Sequence, residues 1–260
     1  MSIGHAYFRF YGNLNDFLPV ERQQQGFWRR LKDRGSVKDT IEGLGVPHPE
    51  VCLIVVNGES TPFDYLVEAG DRISVYPRFY QFEIADISKV QPTPLTPVRF
   101  VLDVHLGKLA AYLRILGFDT LYANDAEDAD LALVSSREAR VLLTQDRGLL
   151  KRSMVTYGYA VRSPYPEEQI VEVIDHFELQ DALVPFQRCP RCNGTLQLKN
   201  KADVMDQIPY YTALTYNDYA QCQSCYQVYW QGAHYARIQT LINRVRPSPS
   251  PSSDPDLADL

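Results

Sequence analysis

The sequence predicts an α/β protein of three folded segments, and three observations support this. Residues 1–90 contain strand-like runs around one short helix, and residues 98–182 alternate strands with helices. Residues 183–244 contain two Cys-x-x-Cys pairs, a spacing typical of a zinc site. Pro-rich residues 91–97 are predicted to be a linker, because proline fits neither a helix interior nor a central strand. Ser/Pro-rich residues 245–260 are predicted to be disordered.

The composition is that of an ordinary globular protein. Of the 260 residues, 45% are hydrophobic and 22% are charged, and the length suits two or three domains. The chain has no apolar run of about eighteen residues, so we expect no membrane span. The N-terminus lacks the pattern of a secretory signal, and paired thiols without such a signal favour a reducing compartment, so we predict a cytoplasmic protein. The net charge of −6 disfavours a protein that coats nucleic acid, but it is compatible with carboxylates that bind a divalent metal.

The first segment has the pattern of a β-grasp module. Strands are predicted at residues 5–14, 50–57 and 72–76. A short helix over Val37–Leu44 has Ser36 as its predicted N-cap and Gly45 just past its end. Asn57-Gly58 is a turn signal between two strand-like runs. Strands on either side of a single helix make up the β-grasp plan.

The middle segment predicts a parallel sheet with helices on its faces. Strands are predicted at residues 99–103, 119–122 and 141–144, and helices at 106–116, 128–138 and 167–179. The first of these helices has apolar residues at helical spacing, including Leu106, Leu109 and Leu113, and Gly117 ends it.

Four acidic residues are predicted to meet at one edge of this sheet. Asp103 and Asp146 follow strands, and the carboxyl ends of parallel strands share an edge. The helix that begins near Asp128 brings Asp128 and Asp130 toward the same edge. Each aspartate alone is better explained as a helix cap. Together they favour a site for Mg²⁺ or Mn²⁺, because clustered carboxylates repel one another unless a cation neutralises them.

The last segment is predicted to hold one structural zinc ion in a closed shell of four thiolates. The ligands are Cys189, Cys192, Cys222 and Cys225. Trp230 alternates with Val228 and is predicted to lie in the core. Tyr229 would then face outward, where an exposed ring can stack on an unpaired base.

Several cations lie near the predicted acidic edge in sequence. Lys108, Arg147 and Lys151 are predicted to contact substrate phosphates, and Arg114 lies on the same predicted helix as Lys108. For Arg137 and Arg140 a solvated helix face is the simpler interpretation.

Two sets of motifs resemble a known family. RFVLDVHLGKLAAYLRILGFDTLYAND, EDADLALVSSREARVLLTQDRGLLKR, CPRCNGTL and CQSCYQVYWQGAHYARI are similar to the PIN-like RNase family first noticed at the C-terminal end of a mutator-type exonuclease. SVKDTIEGLGVPHPEV, VNGE and AGDRISVYPRF resemble the ubiquitin-like, sulfur-carrier-type module that precedes certain bacterial nucleases. A sulfur carrier needs a free C-terminal Gly-Gly, whereas this chain continues past Phe79, so we expect a docking or packing module.

The resemblance implies a PIN-like nuclease core followed by a zinc ribbon. It implies that Asp103 is the first-strand aspartate, that Asp146 belongs to a T-x-D-R motif and that Asp128 is the mid-domain acidic residue, with Asp130 a near alternate. Gln145 replaces an arginine that the family commonly has, and Ala139 replaces a common glycine.

These features predict a divalent-metal-dependent ribonuclease that acts on RNA, with Mg²⁺ or Mn²⁺ for catalysis and structural Zn²⁺. The alternative is a non-catalytic adaptor that binds RNA and recruits a protein partner through the β-grasp module.

Overall fold

A computed structural model describes residues 4–31, 34–80 and 82–246. They form two compact units that do not coincide with the predicted segments. Of the described residues, those up to residue 105 and residues 124–160 make up the first unit. Residues 106–123 and 161–246 make up the second. The middle segment therefore contributes to both units.

The strands and helices follow one another in the expected α/β order. The strands are β1 (His5–Phe10), β2 (Phe27–Arg30), β3 (Leu53–Val56), β4 (Glu59–Ser60), β5 (Arg72–Tyr76), β6 (Phe100–Leu102), β7 (Thr120–Leu121), β8 (Val141–Thr144), β9 (Gly158–Ala160), β10 (Leu196–Lys199), β11 (Tyr219–Cys222) and β12 (Val228–Trp230). The α-helices are α1 (Val37–Gly43), α2 (Gly107–Ile115), α3 (Asp128–Glu138), α4 (Arg147–Leu150), α5 (Pro166–Phe177), α6 (Lys201–Val204), α7 (Tyr210–Thr215) and α8 (Ala233–Val245).

The N-terminal part of the first unit is a five-stranded sheet in the order β2-β1-β5-β3-β4. β1 pairs parallel with β5 and antiparallel with β2. The Ser36 hydroxyl accepts a hydrogen bond from the Asp39 N–H at 3.0 Å, which confirms the predicted helix cap. The first strand ends at Phe10, earlier than predicted, because Gly12 has a φ of 52° and opens a 3-10 turn over Gly12–Phe17.

The same unit contains three parallel strands, paired in the order β6-β8-β9. All residues of β6 and β8 are buried, as expected for a parallel strand that is covered on both faces. This buried pair confirms two of the predicted strands and places Asp103 and Asp146 just beyond their carboxyl ends.

The second unit contains α2, β7, α5 and an antiparallel sheet in the order β10-β11-β12. α5 packs against α2 and α8. The small core beside the sheet contains Val204, Tyr219 and Val228, and Trp230 packs against it, as predicted. α8 extends to Val245, one residue into the segment predicted to be disordered. The rest of that tail, residues 247–260, lies outside the described residues.

None of the helices within the described ranges combines the length and the apolar character that crossing a membrane requires.

Candidate active site and zinc site

Asp103 is held rigidly at the carboxyl end of β6. It is buried, with 4% of its surface exposed. One carboxylate oxygen accepts a hydrogen bond from the His105 N–H at 2.8 Å, and the other accepts bonds from the Thr144 hydroxyl and from the Gln145 N–H at 3.2 Å. Because an ionised carboxylate has about four acceptor positions, roughly one position is left for a further ligand.

The Thr144 hydroxyl connects Asp103 to Asp146. Thr144 is fully buried at the end of β8, and its hydroxyl donates to Asp103 while it accepts from the Asp146 N–H at 2.8 Å. The exposed Asp146 carboxylate caps α4 by accepting from the Gly148 N–H at 2.6 Å. Two of the predicted aspartates are therefore joined at one sheet edge through a single side chain.

Asp128 and Asp130 lie in the first turn of α3, and both are exposed. Glu127 is the N-cap residue, and its side chain makes no capping bond, so Asp128 does not cap this helix. The capping interpretation therefore holds for Asp146 at α4 and for Asp103, whose carboxylate accepts from the His105 N–H in the 3-10 helix Val104–Leu106, but not for Asp128. The first turn of α3 keeps both carboxylates near positive backbone N–H groups, which stabilises negative charge there.

The aspartates offer suitable oxygen donors, but they do not form a closed cage. Within residues 4–31, 34–80 and 82–246, the only set of three or more metal-ligating side chains with ligand atoms within 4.8 Å of one another consists of cysteines. Mg²⁺ commonly keeps several waters and uses one or two carboxylates. Asp103 and Asp146 fit that donor chemistry, whereas a shared three-aspartate cage stays a prediction.

Arg147 and Lys151, two of the predicted phosphate contacts, bind backbone carbonyls of the β-grasp module. The Arg147 guanidinium donates to Phe17 O at 3.2 Å and to Asp16 O at 3.3 Å, and it lies 4.9 Å from the centre of the Phe17 ring. Lys151 donates to Glu42 O at 2.8 Å. In this conformation the two cations hold the module, so phosphate binding by them stays a prediction.

Two further polar contacts join the module to β9 and to the segment that precedes it. The imidazole of buried His48 lies 2.6 Å from the Glu42 carboxylate and 2.7 Å from the Val155 carbonyl oxygen. The buried Glu50 carboxylate accepts from the Ala160 N–H at 2.7 Å. These buried contacts make the module a packed part of the first unit.

The remaining predicted substrate contacts belong to the second unit. Lys108 is exposed in the first turn of α2. Tyr229 is half-buried, and its hydroxyl lies 3.0 Å from the Cys189 sulfur. Burial, followed by the bond to Cys189, raises the pKa of Tyr229. Tyr229 therefore contacts a predicted zinc ligand, and base stacking by its ring stays a prediction.

The four cysteine sulfurs meet as a zinc site requires. Cys189 and Cys225 are 3.7 Å apart between sulfurs, and Cys192 and Cys222 are 3.4 Å apart. A tetrahedral site with Zn–S bonds of about 2.3 Å sets its sulfurs about 3.8 Å apart. The four predicted cysteine ligands therefore lie close enough together to bind one Zn²⁺ ion.

The backbone around the second cysteine pair favours a bound thiolate. Burial alone would raise the pKa of Cys222, but the N–H groups of Cys225 and Ser224 and the neighbouring thiols outweigh it and lower the pKa to about 7. Burial raises the pKa of Cys192 to about 12. Metal binding needs the thiolate, and the backbone N–H groups that face the Cys222 sulfur stabilise that form.

A buried arginine attaches the first cysteine turn to α2. Arg114 is 4% exposed, and its guanidinium donates to Thr120 O at 2.9 Å, Pro190 O at 3.1 Å and Arg191 O at 3.2 Å. Burial lowers the pKa of Arg114, and the nearby thiols of Cys192 and Cys189 act in the opposite direction. The Arg114 guanidinium is thus occupied by backbone carbonyls beside the predicted zinc site.

The side chain of Asn193 reinforces that attachment. Its amide oxygen accepts from the Thr120 N–H at 3.0 Å, and its amide nitrogen donates to the Asp119 carboxylate at 2.8 Å. Asn193 has a φ of 68°, a left-handed conformation that asparagine tolerates better than most residues. The residue after the first cysteine pair therefore both closes the turn and binds the segment that contains β7.

Two family models match the chain. One, described as the Mut7-C RNAse domain, matches residues 98–242, which is more than half of the chain. The chain belongs to the Mut7-C RNase family. A second model, described as Mut7-C ubiquitin, matches residues 3–83. No curated protein and no solved structure matches the chain significantly.

Membership of the Mut7-C family confirms the predicted resemblance and indicates ribonuclease activity. Sequence reasoning missed the roles of two residues at the candidate sites. Thr144 had a signal, because it begins the T-x-D-R motif at a strand end. Arg114 had none, because no motif or spacing around it distinguishes it from the other residues of α2.

The expectation that Arg140 lies on a solvated helix face is wrong. Arg140 is buried, with 5% of its surface exposed, and its guanidinium donates to the Glu138 carboxylate at 2.6 Å and to Phe100 O at 3.3 Å.

Proposed function

We propose that this chain is a divalent-metal-dependent ribonuclease that hydrolyses RNA phosphodiester bonds at the edge formed by Asp103, Asp128 and Asp146, with Asp130 in support. Family membership supports the reaction class. The observation that supports the site most strongly is the buried Thr144 hydroxyl, which bonds to Asp103 and to the Asp146 backbone together. These two bonds orient the Asp103 carboxylate, while the Asp146 carboxylate remains exposed.

Each aspartate has a distinct role in this proposal. Asp103 is fixed by three donors and offers about one oxygen position outward. Asp146 and Asp128 are exposed and can adjust to the substrate. A bound Mg²⁺ or Mn²⁺ would activate a water molecule and neutralise charge on the phosphate. Zn²⁺ would have no such role, because four cysteines leave it no open position.

Substrate phosphates would be bound by Lys108, Arg147 and Lys151. Lys151 donates to Glu42 O, and an ammonium group has three donors, so it can bind a phosphate without leaving the module. Tyr229 and the zinc ribbon would support RNA binding from the second unit.

The test is cleavage of labelled RNA by zinc-loaded protein in Mg²⁺ or Mn²⁺. Asp103→Asn and Asp146→Asn should each reduce the rate strongly, whereas Asp64→Asn, an exposed aspartate of the β-grasp module, should not. Undiminished cleavage by both active-site variants would refute the assignment.

A non-catalytic adaptor is the second candidate, and the geometry of Asp103 favours it. Three donors already occupy this carboxylate, and the aspartates of the described residues do not form a close three-ligand group. An adaptor would bind RNA without added Mg²⁺ or Mn²⁺ and would leave it intact at every concentration of either ion. Its β-grasp module would recruit a protein partner.

A further inference from the structure

One face of the β-grasp sheet combines arginines with aromatic rings. On β1, Ala6 and Phe8 are fully buried, so the alternating residues Tyr7 and Arg9 point to the opposite face. The registers of β2 and β5 extend this face, since Tyr7 pairs with Trp28 on one side and with Arg72 on the other. The outward residues of these three strands are His5, Tyr7, Arg9, Trp28, Arg30, Arg72, Ser74 and Tyr76. We call this set the outer sheet face.

The outer sheet face is positively charged, whereas the chain as a whole is negatively charged. Its eight described strand positions include three arginines and no carboxylate, although the whole chain has a net charge of −6. Arg30 and Arg72 are exposed. A local cluster of guanidinium groups in an acidic protein is suited to a polyanion.

The rings and guanidinium groups of this face alternate in contact. Arg72 lies 4.7 Å from the centre of the Tyr7 ring, and the Tyr7 and Trp28 rings are 5.5 Å apart at 67°. Further along β1 and β5, Arg9 lies 5.2 Å from the Tyr11 ring, which stacks on Tyr76 at 4.4 Å. Planar groups placed in this way are held in position before a ligand arrives.

Trp28 is the most accessible of the rings. It is 57% exposed, which is unusual for so large an apolar side chain. A ring of this size on a sheet, beside arginines, can stack an unpaired base, while a guanidinium binds the adjacent phosphate. Sheets that bind single-stranded RNA use exposed aromatic residues in the same way.

We propose that the outer sheet face binds single-stranded RNA, with Trp28 stacking a base and Arg30 and Arg72 binding phosphates. The choice of RNA as the polyanion rests on the proposed function, but binding at this face does not require cleavage. The β-grasp module would thereby hold the substrate strand in addition to the contacts at the aspartates.

The experiment measures binding of a fluorescein-labelled polyuridine 20-mer to full-length, zinc-loaded protein over a range of salt concentrations. All proteins also carry Asp103→Asn and Asp146→Asn, which prevent cleavage. The plot of log K against log salt has a negative slope. Arg30→Gln and Arg72→Gln should each make this slope shallower by about 0.7, the value for one phosphate contact on a single strand. Lys38→Gln on α1, outside this face, is the matched control and should leave the slope unchanged.

Trp28→Ala should weaken binding at least about fivefold with no change of slope, because stacking contributes about 1–3 kcal/mol per base and does not release counterions. Its control is Val20→Ala, an 82% exposed apolar residue outside the three strands. Thermal unfolding of each variant checks that it is folded. If Trp28→Ala is unstable, the change of salt slope in the two arginine variants alone tests whether this face binds RNA.

RNA affinities and slopes that match the two controls would overturn the proposal, and so would binding of anionic lipid vesicles or of a protein partner in place of RNA. The proposed function fails separately. If the chain carrying the natural aspartates never cleaves RNA but the variants behave as stated, the ribonuclease assignment falls and this face remains. If cleavage is metal-dependent and these variants bind RNA like the controls, the ribonuclease assignment stands and RNA binding by the outer sheet face is refuted.

Discussion

At the scale of single residues, Thr144 shows how one hydroxyl can organise the candidate active site. A hydroxyl is at once a donor and an acceptor, so Thr144 can donate to Asp103 and accept from the Asp146 N–H. Both bonds are buried or half-buried, where an unpaired polar group is costly. The orientation of Asp103 therefore depends on a residue that has no role in binding a cation itself.

Replacing Thr144 by valine should separate these roles. Thr144→Val keeps the shape but removes the hydroxyl, so we expect cleavage to slow by about 10–100-fold, the usual cost of losing a group that orients a ligand. Unfolding free energy should fall by about 1–3 kcal/mol because the Asp103 carboxylate loses a buried partner. Thr144→Ser, which retains the hydroxyl, is the control and should stay close to the natural protein; equal rates for the two variants would contradict the role.

Ala139 carries local strain that a glycine would relieve. It follows α3 with a φ of 48°, in the left-handed region. An L-residue with a Cβ pays about 1–2 kcal/mol there, whereas glycine does not. The substitution of the common glycine by alanine therefore has a definite local cost.

Ala139→Gly should raise the free energy of unfolding by about 0.5–1 kcal/mol, because the relief of strain is only partly offset by the greater freedom of glycine in the unfolded chain. Denaturant titration measures this change. Ala129→Gly, an exposed position inside α3, should not stabilise the protein. A decrease in stability for Ala139→Gly would show that the left-handed conformation is not strained.

At the scale of elements, the two cysteine turns are built alike. The residue after each second cysteine is left-handed, with φ values of 68° at Asn193 and 60° at Tyr226. The turns approach so closely that a Cβ at Gly194 would lie 2.5 Å from Ser224 Oγ and 2.8 Å from the Cys222 sulfur. The sulfur cannot move without leaving the metal site, so glycine is required there.

Gly194→Ala should therefore weaken zinc binding and lower thermal stability. Release of zinc to a chromogenic chelator measures the first effect, and we expect faster release than from the natural protein. Gly35→Ala is the matched control, because a Cβ at Gly35 would meet no atom within 4 Å. Unchanged zinc release from Gly194→Ala would mean that the turns can separate without loss of the site.

The β-grasp module is also held by residues that are distant from it in the sequence. Sequence reasoning predicted either docking or packing. The buried contacts of His48 with the Val155 carbonyl and of Glu50 with Ala160 in β9 support packing. Arg147 and Lys151 add bonds to backbone carbonyls of the module. Cations chosen for their closeness to Asp146 in sequence thus also serve an element far from it in the chain.

At the scale of the whole molecule, the zinc site belongs to a compact unit that includes part of the nuclease core. The second unit combines α2 and β7 with the cysteine sheet, and Arg114 joins the two parts. Structural zinc is worth about 10–16 kcal/mol of apparent binding energy in small peptides. Loss of zinc should therefore affect α2 as well as the ribbon.

Zinc removal should act on the two units unequally. After chelation, hydrogen exchange should accelerate in β10–β12 and in α2, while β6 and β8 of the first unit keep their protection. Cys222→Ser should reproduce this pattern, and Cys52→Ser, which changes a cysteine outside the zinc set, should not. Equal loss of protection in both units would contradict the division into units.

Much of the fold was predictable because it depends on local pattern. Apolar spacing located α2, and continuous apolar runs located β6 and β8. β2 and β9 were not predicted, since neither the residues of β2 nor those of β9 form the continuous apolar run that marked β6 and β8. Tyr229 was predicted from alternation alone, and alternation does not report the Cys189 sulfur that its hydroxyl meets.

The sequence by itself determined the predicted zinc ligands, the family and the aspartates at the strand ends. Each of these depends on a short motif or on the spacing of residues along the chain. Only the tertiary structure decided how those groups are held. Thr144 reaches Asp103 across 41 residues, Arg114 reaches Pro190 across 76, and Arg147 reaches Phe17 across 130. Hydrogen bonds over such separations depend on how the elements pack, and packing leaves no periodic signal in the chain.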